Sequence, residues 1–251
     1  MEIEVLVSAV DAPRTLPDTM KLRPPFLVVN QCGRDGALPP FYDSSLHGVG
    51  NSRNLAVSKS RGEILLFSDE DMVYDEGYQQ KIAEQFCALK DADMILFNVK
   101  SLNEQRPLAE TQTVRRVHWI NCFRYGAVQM AVKRDFIINS GLRFSARFGP
   151  GAEYGAGEDS LFISDALKHG GRIYAVPVRI GTARQEKSSW FEGYNEKYFY
   201  DKGAFFRAVS GWLFPVLTAY YMICHCDCWK NIGAYRAFKQ MMKGAKTYED
   251  Q

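Results

Sequence analysis

Residues 60–71, SRGEILLFSDED, carry the signal that decides the fold. Residues 64–68 form an apolar run typical of a buried strand, and the run ends abruptly in Asp69, Glu70 and Asp71. In an open α/β sheet, ligands bind beyond the carboxyl ends of the strands, so these acids lie where a site is expected. Asp69 and Asp71, spaced i and i+2, can face one point and offer hard oxygen ligands to Mg²⁺ or Mn²⁺. An acidic turn that caps the next helix is the alternative interpretation.

Short apolar runs alternate with helical patterns on both sides of this stretch, which is typical of βαβ units. The predicted strands cover residues 3–10, 26–29, 64–68, 94–99, 129–132 and 173–176. The predicted helices cover residues 51–60, 76–90 and 158–169. The predicted fold class is therefore α/β, with a mostly parallel, Rossmann-like sheet flanked by helices.

Composition allows one large domain with a proper core, since 46% of the 251 residues are hydrophobic and 24% are charged. The formal net charge of +2 and the lack of a long Lys/Arg block argue against a nucleic-acid partner. Residues 1–7 lack the basic region and long apolar run of a cleaved signal, so a reducing cytosol is the expected compartment. Cys32, Cys87 and Cys122 are expected to be buried free thiols.

The tail beyond residue 180 is rich in Tyr, Phe and Trp, and residues 208–226 contain no Asp, Glu, Lys or Arg. Length alone would just permit a membrane span, since about 20 apolar residues are needed. Ser210, Gly211 and Pro215 are among the residues that dilute the segment, which favours an aromatic helix that packs in the core or lies at an interface. Peripheral contact with the cytoplasmic face of a membrane therefore stays open.

The order of three motifs makes a resemblance specific. Residues 50–56, GNSRNLA, precede the strand that ends in Asp69-Glu70-Asp71, and Glu158-Asp159 opens a later helix. From residue 2 to residue 180 the chain resembles the family 2 inverting glycosyltransferases with the GT-A fold, in which an Arg-Asn helix, a D-x-D motif and a Glu-Asp pair follow in this order. The resemblance implies transfer of a sugar from a nucleoside diphosphate to an acceptor hydroxyl. It implies a catalytic domain over residues 1–180, with donor half 1–99 and acceptor half 100–180, followed by a C-terminal appendage over 181–251.

The resemblance also implies roles for individual residues. Asp71 would bind the metal ion, and Asp69 would contact the ribose, or the metal through water. Asp159 would act as the catalytic base, and Glu158 would orient the acceptor. The implied nucleotide-sugar site comprises Val10, Asp11, Asn30, Asn51, Arg53, Asn54, Asp69 and Glu70, and the implied ligands of Mg²⁺ or Mn²⁺ are Asp71 and Asp69.

A glycine-rich segment, residues 149–157 with the sequence GPGAEYGAG, leads directly into Glu158 and Asp159. Direct displacement at an anomeric carbon needs one base on the acceptor hydroxyl, and a carboxylate delivered here could supply it. Helix capping by the two acids through the helix dipole is the alternative. The segment lacks the patterns of phosphate-binding loops, so we expect it to be mobile and to close as a lid over the donor sugar.

The chain departs from the family pattern at three places. Asn30 stands where an acidic residue usually reads the base, which leaves the base identity open. Residues 181–187, GTARQEK, lack the histidine metal ligand of many relatives, so either Glu186 substitutes or Asp71 and the diphosphate hold the ion. The Q-x-x-R-W pattern of processive polymerases is missing, which favours addition of a single sugar. We expect a UDP-sugar donor and a glycan or lipid-linked glycan acceptor, in surface polysaccharide synthesis.

Two other functions stay open at the level of sequence. A sugar-nucleotide nucleotidyltransferase would use a similar sheet, but residues 10–14, VDAPR, do not supply its glycine-rich basic loop. A non-catalytic glycan- or nucleotide-binding protein would keep the fold without turnover, and the intact set of Asp69, Asp71 and Asp159 argues against it.

Three stretches allow two interpretations each. Residues 224–228, CHCDC, lack a second pair at zinc-finger spacing, so packed thiols are expected rather than a zinc site. Residues 118–121, HWIN, could stack an aromatic ring on an acceptor sugar or place Trp119 in the core. The aromatic residues between 190 and 206 could cover the acceptor site or approach a membrane.

Overall fold

The computed structural model describes residues 1–104, 107–185 and 193–249. Its strands, in chain order, are β1 (Ile3–Ala9), β2 (Phe26–Gln31), β3 (Gly36–Leu38), β4 (Phe41–Ser44), β5 (Ile64–Asp69), β6 (Met72–Tyr74), β7 (Met94–Ser101), β8 (Arg115–Arg116), β9 (Met130–Lys133) and β10 (Ile173–Ala183). Its α-helices are α1 (Leu16–Met20), α2 (Val49–Lys59), α3 (Tyr78–Ala88), α4 (Arg134–Ser140), α5 (Glu158–Lys168), α6 (Glu196–Val209), α7 (Phe214–Cys224) and α8 (Ala234–Glu249). Short 3-10 turns lie at Cys122–Arg124, Ala127–Gln129 and Cys226–Trp229.

The described strands form one ten-stranded sheet with helices on its faces, which confirms the predicted α/β class. The strand order is β3-β4-β2-β1-β5-β9-β7-β10-β6, and β8 pairs with β10. Parallel pairing joins β4, β2, β1 and β5 on one side and β7 with β10 on the other. β3, β6, β8 and β9 pair antiparallel, so the sheet is mixed rather than mostly parallel.

Burial on both faces explains why the central strands are continuously apolar instead of alternating. All seven residues of β1 are buried. On one face, Val5, Val7 and Leu66 pack in a core cluster with residues of α1 and α3, and on the other, Leu6 and Phe67 pack in a second cluster with residues of α2 and α5. The sheet thus has two hydrophobic layers, as expected for helices that cover both faces.

Each of the six predicted strands exists, but several short ones were missed. β3, β4, β6 and β8 have two to four residues each, which is too short for an alternation of polar and apolar side chains to stand out. β10 continues to Ala183, well beyond the predicted end at residue 176, because it pairs in turn with three other strands. α3 begins at Tyr78 rather than residue 76, because Gly77 precedes it in the left-handed conformation with φ of 71°.

The chain divides into two compact units. The sheet unit comprises residues 1–146 and 158–188, and the helical unit comprises residues 147–157 and 189–251. The predicted boundary at residue 180 did not anticipate that residues 147–157 pack with the C-terminal helices. Within the helical unit, α6 and α8 approach so closely that a Cβ on Gly203 or on Gly244 would lie 1.9 Å from a backbone oxygen of the other helix.

The glycine-rich segment is a packed part of the helical unit, which is not the arrangement expected of a mobile lid. Tyr154 is fully buried and stacks on Phe148 with ring centroids 4.8 Å apart. The N–H of Gly155 donates to Asp201 at 3.0 Å, and Lys197 donates to the carbonyl oxygen of Glu153 at 2.9 Å. These contacts fasten the segment to α6.

Within the described part of the chain, none of the helices is both long and apolar enough to cross a bilayer. The uncharged segment predicted at 208–226 forms α7, which has 11 residues.

Candidate functional site

The carboxyl ends of β4, β2, β1 and β5 lie side by side at one edge of the sheet. β5 ends at Asp69, which is paired in register with Ser8 of β1. Asn30 of β2 and Asp43 of β4 are also in register with each other near the ends of their strands. The edge that the sequence indicated therefore carries polar side chains on neighbouring strands.

Arg53, on α2, lies at the centre of the site, and its side chain is only 3% exposed. Its Nη1 donates to Asp159 Oδ1 at 2.7 Å and to Glu158 Oε1 at 3.2 Å. Its Nη2 donates to Asp69 Oδ1 at 3.0 Å. We call these four residues the arginine–carboxylate cluster. In this structure the guanidinium of Arg53, for which a nucleotide contact is predicted, is engaged by these three carboxylates.

Close packing of α2 against residues 142–146 brings Arg53 to this place. A Cβ on Gly50 would lie 2.2 Å from the carbonyl oxygen of Ser145, so glycine is required there. Asn54 donates to the carbonyl oxygen of Phe144 at 2.8 Å and accepts from its N–H at 2.9 Å. Asn54 is therefore held by the backbone of Phe144, with one N–H of Nδ2 and one lone pair of Oδ1 left for the predicted nucleotide contact.

The cluster holds three carboxyl groups around one cation, and their electrostatics are strongly coupled. Burial lowers the pKa of Arg53, but the three carboxylates outweigh this effect and raise it, so the guanidinium stays charged. Burial, followed by the charge of Asp159, raises the pKa of Glu158. Burial also raises the pKa of Asp159, against the lowering effect of Arg53. A proton held by this pair relieves the repulsion between like charges.

Glu158 and Asp159 open α5 but differ in access. The side chain of Glu158 is 8% exposed and that of Asp159 is 24% exposed. Asp159 Oδ2 accepts from the N–H of Ala127 at 2.8 Å, so both of its oxygens are oriented, one by Arg53 and one by backbone. Asp159 is thus held on two sides and is the more exposed of the two, while the acceptor contact predicted for Glu158 stays a prediction.

The turn after β5 places the other two acids. Glu70 accepts from the N–H of Val10 at 3.2 Å, and burial raises the pKa of its carboxyl group. Asp71 accepts from the N–H of Gln185 through Oδ2 at 3.0 Å and from the N–H of Arg184 through its carbonyl oxygen at 3.1 Å. Backbone from the end of β10 therefore holds Asp71 in place.

The described residues contain no group of three or more Asp, Glu, His or Cys side chains that could hold a metal ion. Asp69 and Asp71 can supply two carboxylates, and the side chain of Asp69 is 43% exposed. Mg²⁺ is commonly held by one or two carboxylates together with substrate phosphates. Glu186, considered as a further ligand, lies outside the described residues.

Asp43 is a candidate site residue that the sequence did not reveal. Asn30 donates from Nδ2 to Asp43 Oδ1 at 3.4 Å and accepts from the N–H of Ala12 at 2.9 Å. Arg34 Nε lies 3.6 Å from Asp43 Oδ2. The neighbouring strand thus supplies an acidic group beside Asn30, where the resemblance implied one. The proximity of Asp43 to Asn30 depends on the pairing of β4 with β2, and β4 is only four residues long.

The remaining predicted contacts of the nucleotide sugar lie around the same edge. Val10 and Asp11 follow β1, and Asp11 adopts a left-handed backbone with φ of 51°. Asn51 donates to the carbonyl oxygen of His47 at 2.8 Å, which ties the start of α2 to the preceding loop. The side-chain amide of Asn51 is thus bonded to backbone four residues earlier in the chain.

The stretch 118–124 lies along α5 on the surface of the sheet unit. The ring of Trp119 is partly exposed and meets Phe123 edge to face, with centroids 6.2 Å apart. Ser160 donates to the carbonyl oxygen of Phe123 at 3.4 Å, one residue from Asp159. The core position considered for Trp119 is therefore wrong. Lys168 lies over its ring at 5.7 Å, near the end of α5 that is remote from Glu158 and Asp159.

The cysteines follow the prediction only in part. Cys122 is buried, and burial raises the pKa of its thiol to about 12. Cys32 is half-buried and Cys87 is exposed, because Cys87 lies on the outer side of α3 next to the buried Phe86. Cys224 and Cys226 are exposed rather than packed.

No protein-family model matches the chain, and no characterised protein is similar to it in sequence at a significant level. Solved structures are similar in fold. S. aureus TarS matches with a TM-score of 0.60 and 18% identity over 82% of this chain, which spans only 39% of that TarS chain. S. aureus TarS 1–349 in complex with UDP-GlcNAc matches with a TM-score of 0.64 and 15% identity over 100% of this chain and 92% of the other. The same protein in complex with UDP matches with a TM-score of 0.60 and 16% identity over the same shares.

Proposed function

We propose that this protein transfers a single sugar from a UDP-sugar to an acceptor hydroxyl with inversion, as a family 2 glycosyltransferase. The observation that carries the proposal is the buried Arg53, which holds Asp159 and Asp69 together at the carboxyl edge of the parallel strands. That edge is where ligands bind in open α/β sheets. The likeness in fold to a protein with bound UDP-GlcNAc and UDP supports a nucleotide-sugar donor.

Asp159 is the base of the proposed reaction. Each carboxylate oxygen can accept two hydrogen bonds, so the bonds from Arg53 and Ala127 leave room for an acceptor hydroxyl. Its raised pKa, caused by burial, makes it a stronger base than an ordinary aspartate. With Asp159 as the base and no covalent intermediate, the reaction is a single displacement, which inverts the anomeric centre.

Glu158 has a supporting role in this proposal. Because it is buried against Arg53, it helps to fix the guanidinium that orients Asp159. The acceptor would instead approach Asp159, whose side chain is 24% exposed. We infer a glycan or lipid-linked glycan acceptor, in surface polysaccharide synthesis.

A divalent ion, Mg²⁺ or Mn²⁺, belongs to the proposed donor site. Asp71 and Asp69 would hold it, and the ion would supply charge neutralisation for the departing diphosphate. Asp71 is oriented for this use by the N–H of Gln185. Asp69 is oriented by Arg53, which leaves its exposed oxygen for the ion or the ribose.

The donor site is tested by thermal unfolding with a panel of nucleoside diphosphates, with and without Mn²⁺. We expect UDP with Mn²⁺ to raise the melting temperature by about 5–10 °C when the ligand is at roughly 100 times its Kd. Asp71→Ala should lose this shift, while Glu76→Ala, an exposed acid seven residues from Asp69, should keep it. If no diphosphate stabilises the wild type, the protein does not bind the proposed donor.

Selection of uracil is assigned to Asp43 and Asn30. The proposed diphosphate position lies at the end of β5 and the proposed base position at the end of β4. Three strand spacings of about 4.8 Å, or about 14 Å in all, separate them, which suits the length of a nucleoside diphosphate. The N3–H of uracil donates a hydrogen bond, whereas N3 of cytosine accepts one, so a carboxylate favours uracil. Asp43 is suited to this because its side chain is 14% exposed at the edge of the site.

Asp43→Asn should therefore weaken UDP binding by roughly 10- to 100-fold, the value of a hydrogen bond to a charged group. CDP binding should change little, so the ratio of the two Kd values, measured by calorimetry, should shrink. Asp18→Asn, an exposed acid on α1, is the matched control. A variant with unchanged preference for UDP over CDP would remove Asp43 from base recognition.

The nucleotidyltransferase alternative makes a different product. A glycosyltransferase releases UDP from a UDP-sugar, whereas a nucleotidyltransferase releases pyrophosphate from a nucleoside triphosphate and a sugar phosphate. Assaying the two releases in parallel separates the reactions. Release of pyrophosphate without release of UDP would contradict the proposal.

A further inference from the structure

One side of α7 exposes apolar side chains to water. Val216, Tyr220 and Ile223, spaced i, i+4 and i+7, form a stripe along the helix, and Ile223 is 77% exposed. The opposite side packs in the helical unit through Thr218 and Tyr221, which are buried. No charged residue interrupts the helix, and the preceding Trp212 is 80% exposed. Large apolar side chains exposed together on one side of a helix indicate an interaction site.

The same part of the chain concentrates positive charge. Residues 193–249 contain eight Lys or Arg and four Asp or Glu, a formal charge of +4. Because the whole chain carries +2, all other residues together carry −2. The asymmetry is typical of a segment that meets an anionic surface.

α8 contributes the largest share of this charge in an ordered array. Its exposed basic residues are spaced by three or four positions and therefore lie on one side: Arg236, Lys239, Lys243 and Lys246. Ala237, Met241 and Ala245 are buried on the opposite side. The basic stripe thus faces water and is not used in packing the helical unit.

We propose that the helical unit docks on an anionic lipid surface, with Trp212 and the α7 stripe entering the headgroup region and the α8 stripe attracted by the lipid charge. Aromatic and aliphatic side chains next to cationic ones are the features of helices that lie in a bilayer interface. α7, at about 16 Å, is too short to cross a hydrocarbon core of about 30 Å, so it lies on the surface. A nucleic acid would engage the lysines but would leave the α7 stripe in water.

Flotation of the full chain with vesicles tests this proposal without any substrate. We expect binding to phosphatidylcholine vesicles with about one third phosphatidylglycerol, and little binding to pure phosphatidylcholine, because each Lys or Arg near an anionic surface adds attraction. The triple variant Lys239→Gln, Lys243→Gln, Lys246→Gln should partition at least about tenfold more weakly. Raising the salt concentration should also weaken the binding of the wild type to the anionic vesicles, because the Debye length falls.

The apolar contribution to binding is tested by one triple variant, Val216→Ser, Tyr220→Ser and Ile223→Ser, which we call the α7 variant. These exposed positions tolerate polar residues, so the variant should keep the wild-type circular dichroism and melting temperature while losing flotation. Ile138→Ser, an exposed apolar residue on α4, is the matched control and should float like the wild type. Brominated lipids should quench the fluorescence of the wild type, and Trp212→Phe should remove most of that quenching.

Three outcomes would overturn the proposal. The first is equal binding to neutral and anionic vesicles, and the second is undiminished flotation of the α7 variant. The third is a wild type that sediments as a stable dimer and an α7 variant that sediments as a monomer, with neither protein floating with vesicles. A second copy of the chain would then cover the α7 stripe. Binding of UDP in the thermal assay is independent of all three outcomes.

Discussion

Asp159→Asn should lower the rate of sugar transfer by about 10²- to 10⁴-fold, the usual contribution of a general base. Asparagine keeps the size of the side chain and can still accept a hydrogen bond from Arg53, but it cannot take a proton from the acceptor hydroxyl. Binding of the donor should be little changed, because the carboxylates assigned to the ion and the ribose stay in place. The measurement is the initial rate of UDP release from a UDP-sugar panel, together with the Kd for UDP.

Asp165→Asn is the matched control for that substitution. It removes a carboxylate from the same helix, where Asp165 is paired with Lys168 at 2.7 Å on the surface. We expect its rate to equal that of the wild type. Unchanged UDP release by Asp159→Asn would show that another group is the base. A loss of rate that is matched by an equal loss of UDP affinity would mean that Asp159 acts in donor binding.

Arg53→Met should reduce the free energy of unfolding by about 3–5 kcal/mol, as expected when one partner of a buried ion pair is removed. The substitution leaves Glu158 buried against two other carboxyl groups without a cation. It should also abolish transfer, because Asp159 and Asp69 lose the group that orients them. Denaturant unfolding measures the first effect, and UDP release measures the second.

The pH dependence of this destabilisation separates charge from packing. Arg53 lowers the pKa values of Glu158 and Asp159, so its removal raises both further. In the variant, the folded state then binds protons more tightly than the unfolded state, whose carboxyl pKa values lie near 4. The unfolded states of variant and wild type titrate alike. The stability of the variant relative to wild type should therefore fall as the pH rises from the raised pKa values of the folded wild type to the still higher ones of the variant, and the difference should be smallest at acidic pH. A pH-independent difference would indicate lost packing alone. Arg116→Met, which removes a half-exposed pairing with Asp91, should cost little at any pH.

Local patterns were enough to predict the parts of the site that follow directly from a long element. The strand that ends at Asp69 is marked by a continuous apolar run and the helix that begins at Glu158 by its spacing of apolar residues, so their carboxylates could be placed at an edge of the sheet. The meeting of these residues could not be predicted in the same way, because Arg53 and Asp159 are separated by 106 positions. Burial of Arg53 depends on the contact of Gly50 with Ser145, which leaves no periodic signal.

Asp43 and the glycine-rich segment show two different reasons for failure. The strand that carries Asp43 is too short for its pattern to be distinguished from a loop, and its relation to Asn30 exists only through pairing. In residues 149–157, glycines suggested freedom of motion, but the single aromatic residue Tyr154 determines the outcome. Its ring is buried among other rings of the helical unit, and the glycines permit the sharp turns that carry it there.

The interleaving of the two units in sequence constrains how the protein can be built and recombined. Residues 147–157 leave the ribosome before α6 and α8 exist, so at about 5–20 residues per second this segment waits several seconds for the helices it joins. The sheet unit is likewise interrupted until α5 and β10 have been made. A domain exchange that replaced only the residues after 188 would therefore leave an eleven-residue remnant of the old helical unit directly before Glu158 and Asp159. Chimaeras that change the C-terminal helices need a matching graft of residues 147–157.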